Sequence, residues 1–100
     1  MKFIIKNPKE NIASLTRRIG YRYLGKNAET EEMSFIRPLE RGGYPRFHLY
    51  IKVEGENLIF NLHLDQRKPV YNSVTAHSAD YHGEPVQKEA QRIKQILQSI

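Results

Sequence analysis

The four histidines of the chain, His48, His63, His77 and His82, lie within one stretch together with Asp65 and Asp80. His63 and Asp65 are two residues apart, so on a strand both side chains point to the same face. In the strand register derived below, His48 lies directly across from His63 at a Cβ separation of roughly 5 Å. The segment that leaves Asp65 carries His77, Asp80 and His82 and can fold back over that face. Imidazoles with a carboxylate suit a divalent ion such as Zn or Mn, or Fe, with positions left for water or substrate; His63, Asp65, His77 and His82 form the candidate metal set. A metal-bound hydroxide attacking a phosphodiester, with another histidine as general acid, is one chemistry open to these residues. A metal-free version uses His48 and His63 as acid and base across a scissile phosphate of RNA, with Arg46 or Arg67 stabilising the developing charge. The catalytic candidates are therefore His48, His63, Asp65 and His77. The alternative is plain decoration of a solvated sheet face by a His pair, an Arg46 to Asp65 ion pair and Tyr50 beside Asn61.

What must position these residues is a hairpin from Arg46 to Asp65, R-F-H-L-Y-I-K-V-E-G-E-N-L-I-F-N-L-H-L-D. Phe47, Leu49, Ile51 and Val53 alternate with polar residues, and beyond Gly55-Glu56 the alternation resumes with Leu58, Phe60, Leu62 and Leu64. With Gly55-Glu56 as the turn, paired residues have numbers summing to 111. Val53 then meets Leu58, Ile51 meets Phe60, Leu49 meets Leu62 and Phe47 meets Leu64, all on one face. The other face collects Lys52, Tyr50, His48 and Arg46 against Ile59, Asn61, His63 and Asp65, and a slip of one residue would destroy both groupings.

Around the hairpin, Asn7-Pro8-Lys9-Glu10 has the pattern of a capped helix start, so a first helix is expected from about residue 8 to 19, with Gly20 as its stop. Tyr21, Arg22 and Tyr23 read as a helix exit and residues 25–32 as a polar loop. Met33 to Leu39 reads as a short strand that Pro38 ends or confines to a sheet edge. Residues 66–83 form a long connection rich in Tyr and His, with room for a short fourth strand near Val74 to His77. Val86, Ala90, Ile93, Leu97 and Ile100 mark a closing amphipathic helix over residues 85–99. One hundred residues make a single α+β domain: a two-layer sandwich in the order α-β-β-β-(β)-α, its antiparallel sheet covered on one face by both helices.

The chain has no cysteine, which removes disulfides, thiolate metal sites and cysteine nucleophiles. No apolar run approaches a membrane span, and M-K-F-I-I-K is too short for a secretory signal, so a cytoplasmic address without a membrane is expected. Net charge is +5 with pI near 9.6. Residues 1–26 hold seven basic side chains against Glu10 alone, a local +6. A basic end suits a polyanion, and RNA is the favoured partner. The candidate contacts are Arg17, Arg18, Arg22, Arg46, Tyr50, Lys52, Arg67 and Lys68, combining phosphate pairing with base stacking. A protein partner or homodimer formed through the strand Met33 to Leu39 or the last helix is a third use.

Helix, three strands and helix resemble the double-stranded-RNA-binding domain in topology and size. In that family a lysine-rich start of the second helix grips phosphates, whereas Gly83-Glu84-Pro85-Val86-Gln87-Lys88 offers one lysine and one acid. The resemblance thus implies a fold and carries over no residue role. His63-Leu64-Asp65-Gln66 with Pro69, then Ala76-His77-Ser78, Tyr81 and Gly83-Glu84, is similar to a family of small proteins encoded by bacteria with reduced genomes. It spans roughly residues 33–95 and implies a bacterial, cytoplasmic protein, with no mechanism attached.

Overall fold

A computed structural model describes residues 1–66 and 79–98. The elements are β1 (Lys2–Ile5), α1 (Ile12–Arg18), β2 (Arg22–Lys26), β3 (Met33–Pro38), β4 (Arg46–Glu54), β5 (Asn57–Asp65), β6 (Ala79–Asp80) and α2 (Glu84–Gln98). Antiparallel pairing gives one α+β sheet in the spatial order β1-β5-β4-β3-β2, and the two-residue β6 continues the line of β1 along β5.

The central hairpin has the expected register from Arg46↔Asp65 to Glu54↔Asn57, with Gly55 at φ +63° in the turn. Phe47, Leu49, Ile51, Leu58, Phe60, Leu62 and Leu64 are buried. They form one apolar cluster with Leu15 of α1, with Ile19 at its C-cap and with Val86, Ala90 and Ile93 of α2. Burial of this face is what holds the register, because shifting it would put seven large apolar side chains in water.

Several expectations need correction. The chain begins with a strand, not a helix: Phe3 and Ile5 enter the core against Phe60 and Leu58, and Phe3 and Phe60 rings lie 5.3 Å apart. Helix α1 starts at Ile12, not Pro8, because Asn11 is the N-cap and its side chain accepts the Ser14 N–H at 2.8 Å. Asn7 sits at φ +45° and its N–H donates to Asn57, while Glu10 pairs with Arg18 instead of closing a capping box. The stop at Gly20 stands: with φ +86°, it lets Gly20 N–H reach Arg17 O and Tyr21 N–H reach Thr16 O. Residues 22–26, expected as a helix exit and loop, form β2 against β3, with a register shift between Tyr23 and Gly25. Consequently β3 is an interior strand, and the edges are β1 and β2, which removes Met33 to Leu39 as a free pairing edge. Pro38 is the last residue of β3. Helix α2 starts one residue earlier than expected, at Glu84. The suggested strand near Val74 to His77 and the last stripe residue Ile100 lie outside the described residues. Among the described residues, no helix is long and apolar enough to cross a membrane.

Candidate functional site

The polar face of the sheet is assembled by β3, β4 and β5, with contributions from both edge strands. Register places Ser34, Ile36, Arg46, His48, Tyr50, Lys52, Ile59, Asn61, His63 and Asp65 on it, because each pairs with another member across the ladder. Lys2 opposite Asn61 and Arg22 opposite Ile36 join the same face from the two edges.

Asp65 is the hub. Its Oδ2 accepts from Arg46 Nε at 3.1 Å and from His48 Nδ1 at 3.3 Å, and its Oδ1 meets His63 Nε2 at 2.8 Å. Burial would raise this carboxyl's pKa, but hydrogen bonds from His48, His63 and Arg46, with the charge of His63, outweigh it and hold the group well below the usual carboxylate range. The side chains of His48 and His63 are only 12% and 11% exposed. These residues are therefore an inset polar cluster and not a solvated decoration. Arg46 also stacks over Tyr44, its guanidinium carbon 4.6 Å from the ring centroid.

An ionised Asp65 needs donors, so His48 presents Nδ1–H to it and leaves Nε2 as the acceptor in the neutral ring. Ser34 Oγ lies 2.6 Å from that Nε2. Ser34 carries no signal of its own in the sequence: its place depends on pairing of β3 with β4 across a seven-residue connector, which no local pattern reveals.

Rings surround this cluster. Tyr50 stacks on His48 with centroids 4.4 Å apart and planes at 28°, and it lies 5.9 Å from His63 at 29°. Tyr81, just beyond β6, approaches His63 at 5.1 Å and is itself exposed. Burial, Asp65 and Glu32 push the Tyr50 hydroxyl upward, so it stays a neutral phenol.

The other candidates divide. Arg22, Arg46, Tyr50 and Lys52 share the polar face. Arg18 instead pairs with Glu10 at 2.7 Å and donates to the carbonyl of Ile96, tying α1 to α2. Arg17 lines a recess with Tyr21, Tyr23, Met33 and Phe35 on the core side of the sheet. His82 is exposed and stays outside the cluster, with its N–H donating to Asp80. Arg67, Lys68 and His77 lie outside the described residues.

His48, His63 and Asp65 are a group that could hold a metal ion, since one ligand atom from each falls within 4.8 Å of the others. The two imidazoles are pinned to opposite oxygens of one carboxylate, with ring centroids 4.9 Å apart. No family model matches the chain, and neither the curated proteins nor the solved structures contain a match to it.

Proposed function

We propose that the protein binds single-stranded nucleic acid, RNA in the first place, across the polar face of its sheet. The observation that carries this reading is the half-buried Tyr50 and the exposed Tyr81 on one sheet face, both packed against the inset rings of His48 and His63. Both helices packed on the opposite face would leave these rings to a ligand. Bases stack on such rings irrespective of sequence, and Lys2, Arg22 and Lys52 around them supply phosphate contacts. The basic pI supports the same partner.

The test is fluorescence anisotropy of labelled single- and double-stranded RNA at two salt concentrations. Tyr50→Ala with Tyr81→Ala should weaken single-strand binding about 30-fold or more, at roughly 1–3 kcal/mol for each of two stacked bases. Replacing Lys2, Arg22 and Lys52 by Gln should flatten the log-log salt slope by about 2, three contacts at roughly 0.7 each. Binding that survives both sets yet vanishes with Arg17→Gln and Arg18→Gln would move the interface to the first helix and end this reading.

A second reading, a metal-dependent phosphodiesterase, draws on the three-donor group. His48, His63 and Asp65 would hold Zn or Mn, which would supply an activated water for phosphodiester hydrolysis. Arg46 opposes it, because its guanidinium sits on Asp65 Oδ2 where a cation would bind. Arg46→Gln should therefore tighten Zn²⁺ binding by about tenfold or more, since neighbouring unit charges at contact distance interact by several kcal/mol even at intermediate dielectric. Calorimetric titration with Zn²⁺ measures it, and equal, negligible heats for both proteins would remove the metal from consideration.

A further inference from the structure

We propose that Ser34, His48 and Asp65 form a nucleophilic site that hydrolyses carboxylic esters with short acyl chains. The geometry is that of a hydroxyl, an imidazole and a carboxylate in series: Ser34 Oγ to His48 Nε2 at 2.6 Å, and His48 Nδ1 to Asp65 Oδ2 at 3.3 Å. This is the order in which a serine is activated, with the base held in the right tautomer by a carboxylate that stays ionised. Arg46 and His63 fix that carboxylate from two other sides, so it is held in place without depending on His48.

The surroundings leave space for an acyl group. Ser34 pairs across the ladder with Gly25, which has no side chain, and among the described residues none but its chain neighbours comes within 4 Å of where a Cβ there would stand. Ile36, two residues along the same face and opposite His48, is buried and offers an apolar surface beside the hydroxyl. Arg22, opposite Ile36 and beyond the register shift between Tyr23 and Gly25, shares this face, and its long side chain is the nearest cation of β2 on it that can stabilise an oxyanion.

In the first half-reaction Ser34 Oγ bonds to the ester carbonyl carbon while its proton passes to His48 Nε2. Collapse of the tetrahedral adduct breaks the carbon–oxygen bond to the alcohol, which leaves with the proton from His48. Water then adds to the acyl-Ser34 ester with His48 accepting its proton, and Ser34 departs as the leaving group and takes that proton back. The carboxylic acid is released and the enzyme restored. No metal or redox partner enters the balance, and the site does not depend on nucleic-acid binding.

The test treats the full chain with a fluorophosphonate probe, maps the adduct by peptide mass spectrometry, and follows p-nitrophenyl acetate hydrolysis with and without EDTA. The expected result is a stoichiometric adduct on Ser34, no labelling at that peptide in Ser34→Ala, and labelling slowed about 100-fold or more in His48→Gln. Ester turnover should drop to the Ser34→Ala level in both variants and ignore EDTA. Unlabelled Ser34 in the folded wild-type chain, or equal labelling of wild type and His48→Gln, overturns the proposal. Ser34→Ala needs no repacking, and RNA anisotropy of that variant, which keeps every ring of the group, reports separately on the stacking face.

Discussion

Glu89→Ala should lower the thermal midpoint by roughly 15 °C or more, a larger loss than any other single polar substitution in the described residues. Glu89 is 4% exposed, a carboxylate inside the helix–sheet junction. It accepts from the Tyr21 hydroxyl at 2.6 Å, from Arg92 Nε and Nη2 at 2.7 and 2.9 Å, and from Arg37 Nη1 at 3.3 Å to both oxygens. Arg92 reaches on to the Ile19 carbonyl at 2.5 Å. Two side chains of α2, Glu89 and Arg92, thus tie together β3, the approach to β2 and the end of α1. Burial, and then Glu89 itself, push the Tyr21 hydroxyl far above its ordinary value, so it acts only as a donor. Hydrogen bonding to Glu89 likewise keeps Arg92 charged. Alanine would leave two guanidinium groups and a buried hydroxyl without their acceptor, and breaking a buried pair in this way costs about 3–5 kcal/mol. For a domain of this size each kcal/mol shifts the midpoint by about 4–8 °C. The comparison is Glu84→Ala, which removes an exposed pair with Lys88 and should change stability by no more than about 0.5 kcal/mol. Thermal melts followed by circular dichroism measure both, and a Glu89→Ala midpoint within a few degrees of wild type would show that the junction does not rest on this network.

That network was out of reach of residue patterns, and the reason is physical. Glu89 lies in a helix whose polar positions otherwise face water, and only tertiary packing of Tyr21, Arg37 and Arg92 distinguishes it from Glu84. The hairpin from Arg46 to Asp65 was legible because its strands bury one face, exposed Val53 beside the turn apart, which writes a period of two into the residue types. The same reading put His48 across from His63 and Arg46 across from Asp65, so most of the polar cluster was visible in advance. Strand β2 left no such trace: Arg22, Tyr23 and Leu24 are exposed and Gly25 lies opposite Ser34, so an edge strand with a register shift shows no alternation. Strand β1 does alternate, with Phe3 and Ile5 inward, but four residues are too few to separate a strand from a short apolar start. Ser34 escaped for a third reason, since its chemistry exists only once His48 is beside it.

Asp65→Asn should destabilise the fold by about 2–3 kcal/mol at neutral pH, and the difference from wild type should shrink in acid. The carboxylate is the shared acceptor of Arg46, His48 and His63 in a site where those side chains are largely buried, so neutralising it leaves each donor worse partnered. The sign of the pH effect follows from the direction of its shift. The folded-state pKa lies below the unfolded value of about 3.9, so the contribution is fully present above about pH 4 and is lost as pH falls through the lower folded value. Urea unfolding at pH 7 and near pH 3 measures the two gaps, and a gap that is absent at pH 7 or undiminished near pH 3 would mean that Asp65 is not the charge that organises this face. The same substitution bears on Ser34. An asparagine that turns its amide N–H₂ toward His48 makes Nδ1 the acceptor, which puts the proton on Nε2 and blocks it from receiving the proton of Ser34. Labelling of Ser34 should then slow even where the fold survives. Stability and reactivity respond together to this one change because the carboxylate that fixes the imidazole also ties β4 to β5 at the open end of the hairpin, through Arg46 and His48.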